Sequence, residues 1–164
     1  YIENVLPYLK QSNIPLVFDF STRWNDEYLL TVCPHIEMAT LSCAHLDDET
    51  RCREMKKAAD YGVKIVFGTM GENGSSVLYN GEYFFQPACK AQNIKDTMGA
   101  GDSYFAAFLV NFLKMSDKGN LYGGNMNIKL QTSMAAAAEF AAKVCEMEGA
   151  FGYGIPIKSE DESA

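Results

Sequence analysis

The residues best suited to chemistry lie in the run DTMGAGDSYFAAFL, positions 96–109. Gly99, Ala100 and Gly101 lead into Asp102, and Phe105, Phe108, Leu109, Phe112 and Leu113 follow at helical spacing. A carboxylate at the mouth of so apolar a helix is a charge held at the edge of a core. The first turn of a helix offers unpaired N–H groups and roughly half a positive charge. Small residues there let a ligand approach the backbone without side-chain collision. Gly99, Ala100 and Gly101 thus form a candidate anion hole for a phosphate, or for charge developing during phosphoryl transfer. An aspartate repels phosphate, so Asp102 suits the other half of such a reaction, as the base that takes a proton from an attacking hydroxyl. The competing reading is structural: Asp102 caps the helix and the glycines serve a tight turn. The pattern alone supports both.

A second stretch, TMGENGSSVLY (69–79), follows the apolar run VKIVFG. Thr69, Gly71 and Gly74 would sit at the C-terminal end of a buried strand, where α/β proteins bind ligands. The two glycines would let the chain turn sharply beside a nucleotide, or would simply connect a strand to a hairpin. The common phosphate motifs are missing. Ser75 follows Gly74 where a GxxxxGK[ST] loop needs lysine, and Tyr104 stands where GxGxxG needs its third glycine. The HRD and DFG signatures of protein kinases are absent as well.

These stretches need elements to position them. IPLVFDF (14–20) and HIEMATLS (35–42) read as strands, and DDETRCREMKKAADYG (47–62) as a helix with acids first and bases last. VKIVFG (63–68) predicts a central strand buried on both faces. Asn80-Gly81 supplies the positive φ angles of a type I′ turn, so residues 75–86 predict a hairpin. Residues 101–114 carry a wide apolar helical face, and the alanine-rich 128–149 predicts a long helix stopped by Gly149. The expected fold is an α/β sandwich with a mainly parallel sheet and one β-hairpin, a single unit over residues 1–157 with a disordered charged tail at 158–164. The helix-like opening IENVLPYLKQSN reads as the middle of a longer protein.

Composition narrows the partners. The chain has 164 residues, 48% of them hydrophobic, enough for one core. A net charge of −7 and a pI near 4.8 argue against nucleic acid and anionic membrane, though not against a small anion at a helix start. No apolar run approaches the roughly 20 residues a bilayer span needs. Cys33, Cys43, Cys52, Cys89 and Cys145 form no CxxC pair and predict scattered, mostly buried thiols in a reducing compartment. His35 and His45 have no metal-ligand partner at helical spacing.

DTMGAGDSYFAAFL resembles the C-terminal signature of the PfkB/ribokinase family of sugar kinases at every constrained position, and TMGENGS resembles that family's ATP-side loop. VFDFSTRW, PHIEMATLS, GENGS and GAFGYG (149–154) are together most similar to the fructoselysine 6-kinases within it. The likeness runs from about Pro15 to Gly154. It implies a ribokinase-like, Rossmann-like fold and cytoplasmic, ATP-dependent phosphorylation of a sugar hydroxyl, with fructoselysine or another Amadori sugar as acceptor. By resemblance Asp102 is the catalytic base, Gly99, Ala100 and Gly101 the anion hole, and Thr69, Gly71 and Gly74 the nucleotide loop. Ala137, within the run Ala135 to Ala138, would line the adenine side. A monovalent cation, K⁺, would be held near Asp96 and Met98 and by the segment before Gly149.

Two departures qualify this. The family's magnesium-organising NxxE motif is replaced by Ser42, Cys43, Ala44 and His45; Asp47, Asp48 or Glu49 could substitute, or could be a solvated helix start. The N-terminal half, which supplies the family's sugar contacts and β-sheet lid, is absent, so this portion alone is expected to be inactive. Dimerisation is common in the family and is an open expectation here. The alternatives are a nucleotide-binding fragment without catalytic competence, or a kinase for another acceptor: a ketohexose, a nucleoside or a vitamin precursor.

Overall fold

A computed structural model describes residues 2–117 and 119–150. Five strands form one sheet in the order β1-β2-β3-β4-β5. β1 (Val17–Asp19), β2 (Met38–Ser42) and β3 (Ile65–Thr69) run parallel, and β4 (Ser75–Tyr79) and β5 (Glu82–Gln86) complete it antiparallel. Strand side chains alternate between faces, so the apolar runs feed two cores. Ala39, Leu41, Val66 and Leu78 point to one side, under α2 (Asp26–Val32) and α3 (Asp48–Asp60). Met38, Ile65, Phe67 and Val77 point to the other, under α4 (Ala100–Lys114) and α5 (Met126–Val144), where Phe67 meets Phe108 edge-on at 4.5 Å. This is the α/β sandwich with a mainly parallel sheet and a hairpin that the sequence predicts. Asn80 and Gly81 turn the hairpin with φ of 49° and 82°.

Element bounds differ for local reasons. The predicted strand over 14–20 narrows to Val17–Asp19, at the sheet's edge, where pairing comes from β2 alone. The predicted strand over 35–42 begins instead as a 3₁₀ turn, Cys33–His35, because the fixed φ of Pro34 suits a turn, and extended pairing starts at Met38. α2 has no counterpart in the sequence reading, although Asn25 caps it by accepting the Tyr28 N–H at 2.8 Å. At the N-terminus a 3₁₀ turn (Ile2–Asn4) precedes the five-residue α1 (Leu6–Lys10). The final helix spans Met126–Val144 rather than 128–149: Asn125 caps it early, and Cys145 ends it before Gly149 is reached. Residues 151–164, including the tail and most of GAFGYG, lie outside the described residues.

Two polar clusters brace the edge of the sheet opposite the ends of the parallel strands. Lys129 is 3% exposed; its Nζ donates to Ser116 Oγ at 2.9 Å and to the Leu121 and Gly123 carbonyls at 2.8 and 3.2 Å. It also lies 4.4 Å from the centre of the Phe112 ring, so one buried ammonium ties the α4–α5 connection to the core. Nearby, Tyr122 donates to Glu37 Oε2 at 2.6 Å, and Lys64 pairs with the same oxygen at 2.9 Å. Burial works against the charged Glu37 carboxylate, but the Tyr122 hydroxyl and Lys64 outweigh it and hold its pKa below the ordinary 4.5. A depressed carboxylate stabilises the fold fully above its unfolded pKa, and the contribution is lost as pH falls through the folded value. Urea denaturation should therefore find Glu37→Gln less stable than the parent near neutrality. The difference should shrink below pH 4.5, and a pH-independent difference would contradict this account.

Candidate active site

The parallel strands end together. Asp19, Ser42 and Thr69 close β1, β2 and β3 at one edge, the position where open α/β sheets bind ligands. β4 runs back from that edge with Ser75 opposite Thr69, so residues 70–74 form a loop on it. The start of α4 is held there too: the Tyr104 and Ser75 hydroxyls share a hydrogen bond of 2.7 Å.

Gly99 takes the left-handed conformation, φ 76°, which carries the chain into α4 without a side-chain cap. The Ala100 N–H bonds the Thr97 carbonyl at 3.2 Å, and the Ser103 N–H bonds Gly99 at 2.9 Å. Among the described residues the N–H groups of Gly101 and Asp102, between them, have no partner. A Cβ built on Gly101 meets nothing within 4 Å, so the flank of the helix at Gly101 is open. The Asp102 side chain is exposed and accepts no hydrogen bond among the described residues. The capping alternative fails here, because the N-cap is Gly99 and no side chain caps the turn. The anion-receptive amides and the carboxylate are thus neighbours, with neither committed to holding the helix together.

Asp19 was not singled out by the sequence reading. It ends β1, its Oδ1 accepts the Ser21 N–H at 2.7 Å, and Ser21 itself has a positive φ of 52°. Burial raises the Asp19 pKa; the Ser21 N–H opposes that, and the charge of Asp102 adds to it. The two carboxylates are therefore close enough to feel each other. The available signal was an acid closing an otherwise apolar strand.

The glycines of the loop serve different ends. Gly71 (φ 59°) faces open space. Gly74 (φ 94°) is packed so tightly that a Cβ would lie 2.2 Å from the Gln86 carbonyl oxygen. Thr69 anchors the loop: its carbonyl accepts the Cys43 N–H at 2.7 Å and its hydroxyl donates to Leu41 at 3.4 Å. Ala137 is fully buried in the core beneath α5, whereas Ala135 and Ala136 of the same run are partly exposed. Asp96 and Met98 share a turn in which Asp96 Oδ1 accepts the Met98 N–H at 2.9 Å. The N–H groups of Lys95 and Asp96 both reach the Cys145 carbonyl, at 2.8 and 3.3 Å, so this turn and the segment before Gly149 are adjacent.

In the NxxE position, the Ser42 N–H donates to Ser21 at 2.7 Å, and His45 is exposed beside Trp24. All three acids that could have substituted lie at the start of α3, and two of them are engaged there. Asp47 caps α3 through the Thr50 N–H at 2.7 Å, and Asp48 pairs with Arg51 at 2.7 Å.

Among the described residues, the carboxyl edge of the sheet thus carries two helix-start amides and an aspartate without hydrogen-bond partners, an arrangement that can receive an anion. The chain belongs to the pfkB family of carbohydrate kinases, whose model matches residues 28–156. It is 40% identical over 161 residues to the fructosamine kinase FrlD of Bacillus subtilis, covering 98% of this chain and 51% of that protein. It is 32% identical to the fructoselysine 6-kinase of Escherichia coli, over 92% of this chain and 52% of that one. The chain thus spans about half the length of the curated relatives it matches. The fold is that of ribokinase: the Giardia lamblia ribokinase superposes with a TM-score of 0.74 at 17% identity, covering 91% of this chain and 50% of that one.

Proposed function

We propose that the complete protein is an ATP-dependent kinase that phosphorylates a hydroxyl of fructoselysine or a related Amadori sugar. The observation that carries this is the pair of amides, Gly101 and Asp102, that lack a partner among the described residues, beside an Asp102 carboxylate that accepts no hydrogen bond there. The acceptor is inferred from the names of the relatives at 40% and 32% identity. Asp102 would take the proton of the sugar hydroxyl as its oxygen attacks the terminal phosphorus, and the amides would hold the phosphoryl oxygens as their charge redistributes. The nucleotide would run along the Thr69–Gly74 loop, with Ala135 and Ala136 as the accessible small residues of α5.

Magnesium would neutralise phosphate charge during the transfer, and it is usually held by one or two carboxylates. Among the described residues no group of three His, Cys, Asp or Glu could hold a metal ion. Asp19 would be the carboxylate to receive it, in place of the absent NxxE acids. The Asp96–Met98 turn and the segment before Gly149 would hold K⁺. The sugar pocket would be completed by the other half of the protein, a partner this portion needs before it can turn over. Among the described residues β1 pairs on one side only, and its Val17 is exposed, a suitable place for that half to dock or for a homodimer to form. The working compartment is taken to be the cytoplasm, in keeping with five free cysteines. The absence of the NxxE acids favours one second reading, a nucleotide-binding protein without transfer activity.

Calorimetric titration of Mg-ATP into the complete protein and its Gly99→Val variant tests the placement. A β-branched residue at φ 76° is strained by about 1–2 kcal/mol and would crowd the amides. Affinity should fall at least about tenfold, which corresponds to about 1.4 kcal/mol. Equal affinity with an unchanged Tm would move the phosphates elsewhere.

A further inference from the structure

Among the described residues, one side-chain hydrogen bond joins the loop side of the site to the α4 side, the 2.7 Å contact between the Tyr104 and Ser75 hydroxyls. Both residues are buried, at 7% and 2% exposure. Tyr104 follows Asp102 by two positions on α4; Ser75 follows Gly74 and pairs across the sheet with Thr69. The bond therefore runs from the helix with the free amides to the pair of residues that closes the loop. The loop's other ties lead elsewhere. The Met70 N–H bonds Gly74 at 2.8 Å, Gly74 packs on the exit of β5, and Glu72 and Asn73 are exposed. Core packing accounts for the Tyr104 ring but not for its oxygen, since a phenylalanine would fill the same space and leave no hydroxyl to satisfy. Burial pushes the phenol's pKa up to about 12, against the Ser75 hydrogen bond, so the hydroxyl stays protonated through the physiological range.

We propose that Tyr104 and Ser75 are positioning residues for phosphoryl transfer: their hydrogen bond sets the distance between the α4 amides and the nucleotide loop. This rests on the kinase reading above. A nucleotide held by both would have its terminal phosphate placed by that distance, and productive geometry tolerates only about 0.5 Å of error.

The test uses the complete protein with Tyr104→Phe, Ser75→Ala and the double substitution. Each single change should raise the KM for ATP by about 3–10-fold, in line with one buried hydrogen bond, and lower kcat. The KM for the sugar should stay within about twofold, because the buried Tyr104 and Ser75 hydroxyls bond each other and are not offered to the sugar. The double variant should match the worse single one, since both remove the same bond. A lower Tm with ATP KM and kcat unchanged would overturn the proposal by making the bond structural only, and multiplying effects in the double variant would overturn it too. If the parent protein phosphorylates no sugar, the kinase reading fails, and calorimetric affinity for Mg-ATP then decides. A matched loss in both single variants supports the coupling; affinities equal to the parent's overturn it.

Discussion

Asp102→Asn in the complete protein should lower kcat by about 10²–10⁴-fold, the usual contribution of a positioned general base. Asparagine has nearly the same shape, cannot take the proton, and leaves the backbone amides of α4 untouched. The Asp102 side chain holds no hydrogen bond among the described residues, so its loss should not disturb the helix start. Nucleotide affinity should be preserved or slightly improved, because a negative charge beside the phosphates is removed. Steady-state kinetics with calorimetry on the same samples separate the two effects. A kcat within tenfold of the parent would remove Asp102 from the base's role and turn attention to Asp19, the other carboxylate at this edge.

Gly74→Ala should be the most damaging small substitution in the loop. The new Cβ would sit 2.2 Å from the Gln86 carbonyl oxygen and 2.9 Å from Pro87 Cα and the Ala88 nitrogen, all backbone atoms with little room to yield. To that overlap is added the strain of a side chain at φ 94°, ψ −144°, a region nearly closed to residues other than glycine. Strain and overpacking of about 1–3 kcal/mol each sum to roughly 2–6 kcal/mol. At about 2–4 °C per kcal/mol for a chain of this size, Tm should fall by roughly 5–20 °C. Gly71→Ala is the control: its Cβ meets nothing within 4 Å, leaving only the left-handed backbone cost of about 1–2 kcal/mol. Thermal denaturation of the two variants side by side checks the contrast, and similar Tm losses would contradict it.

The parts of this molecule that were legible in sequence are those dictated by local chemistry. The hairpin was readable because Asn80-Gly81 has few conformational alternatives, and α3 because its charges follow the helix dipole. The start of α4 was readable because Gly99, Ala100 and Gly101 precede an apolar helical face, although the same residues suit a tight turn as well as a cradle. What escaped depends on contacts between distant residues. Asp19 and Asp102 meet only once β1 and α4 share an edge, and Tyr104 finds Ser75 across 29 positions. Gly71 and Gly74 looked equivalent because spacing does not disclose that the exit of β5 lies against one of them. α2 escaped for another reason: its cap is ordinary, but seven residues are too few for a helical period to stand out.

The sheet's pairing pattern also has a kinetic side. β3, β4 and β5 are joined by short turns, so their pairing closes small loops, a process of microseconds in hairpins. β1, β2 and β3 come together only after whole helices, α2 and α3, have been folded into the crossovers, and such distant parallel pairings are slow to form. The meander therefore offers a seed on which the slower strands can assemble. The Thr69–Ser75 pair, which closes the loop over 70–74, belongs to that seed. Half of the sheet's carboxyl edge would take shape early, before Asp19 on the slower β1 arrives to complete it.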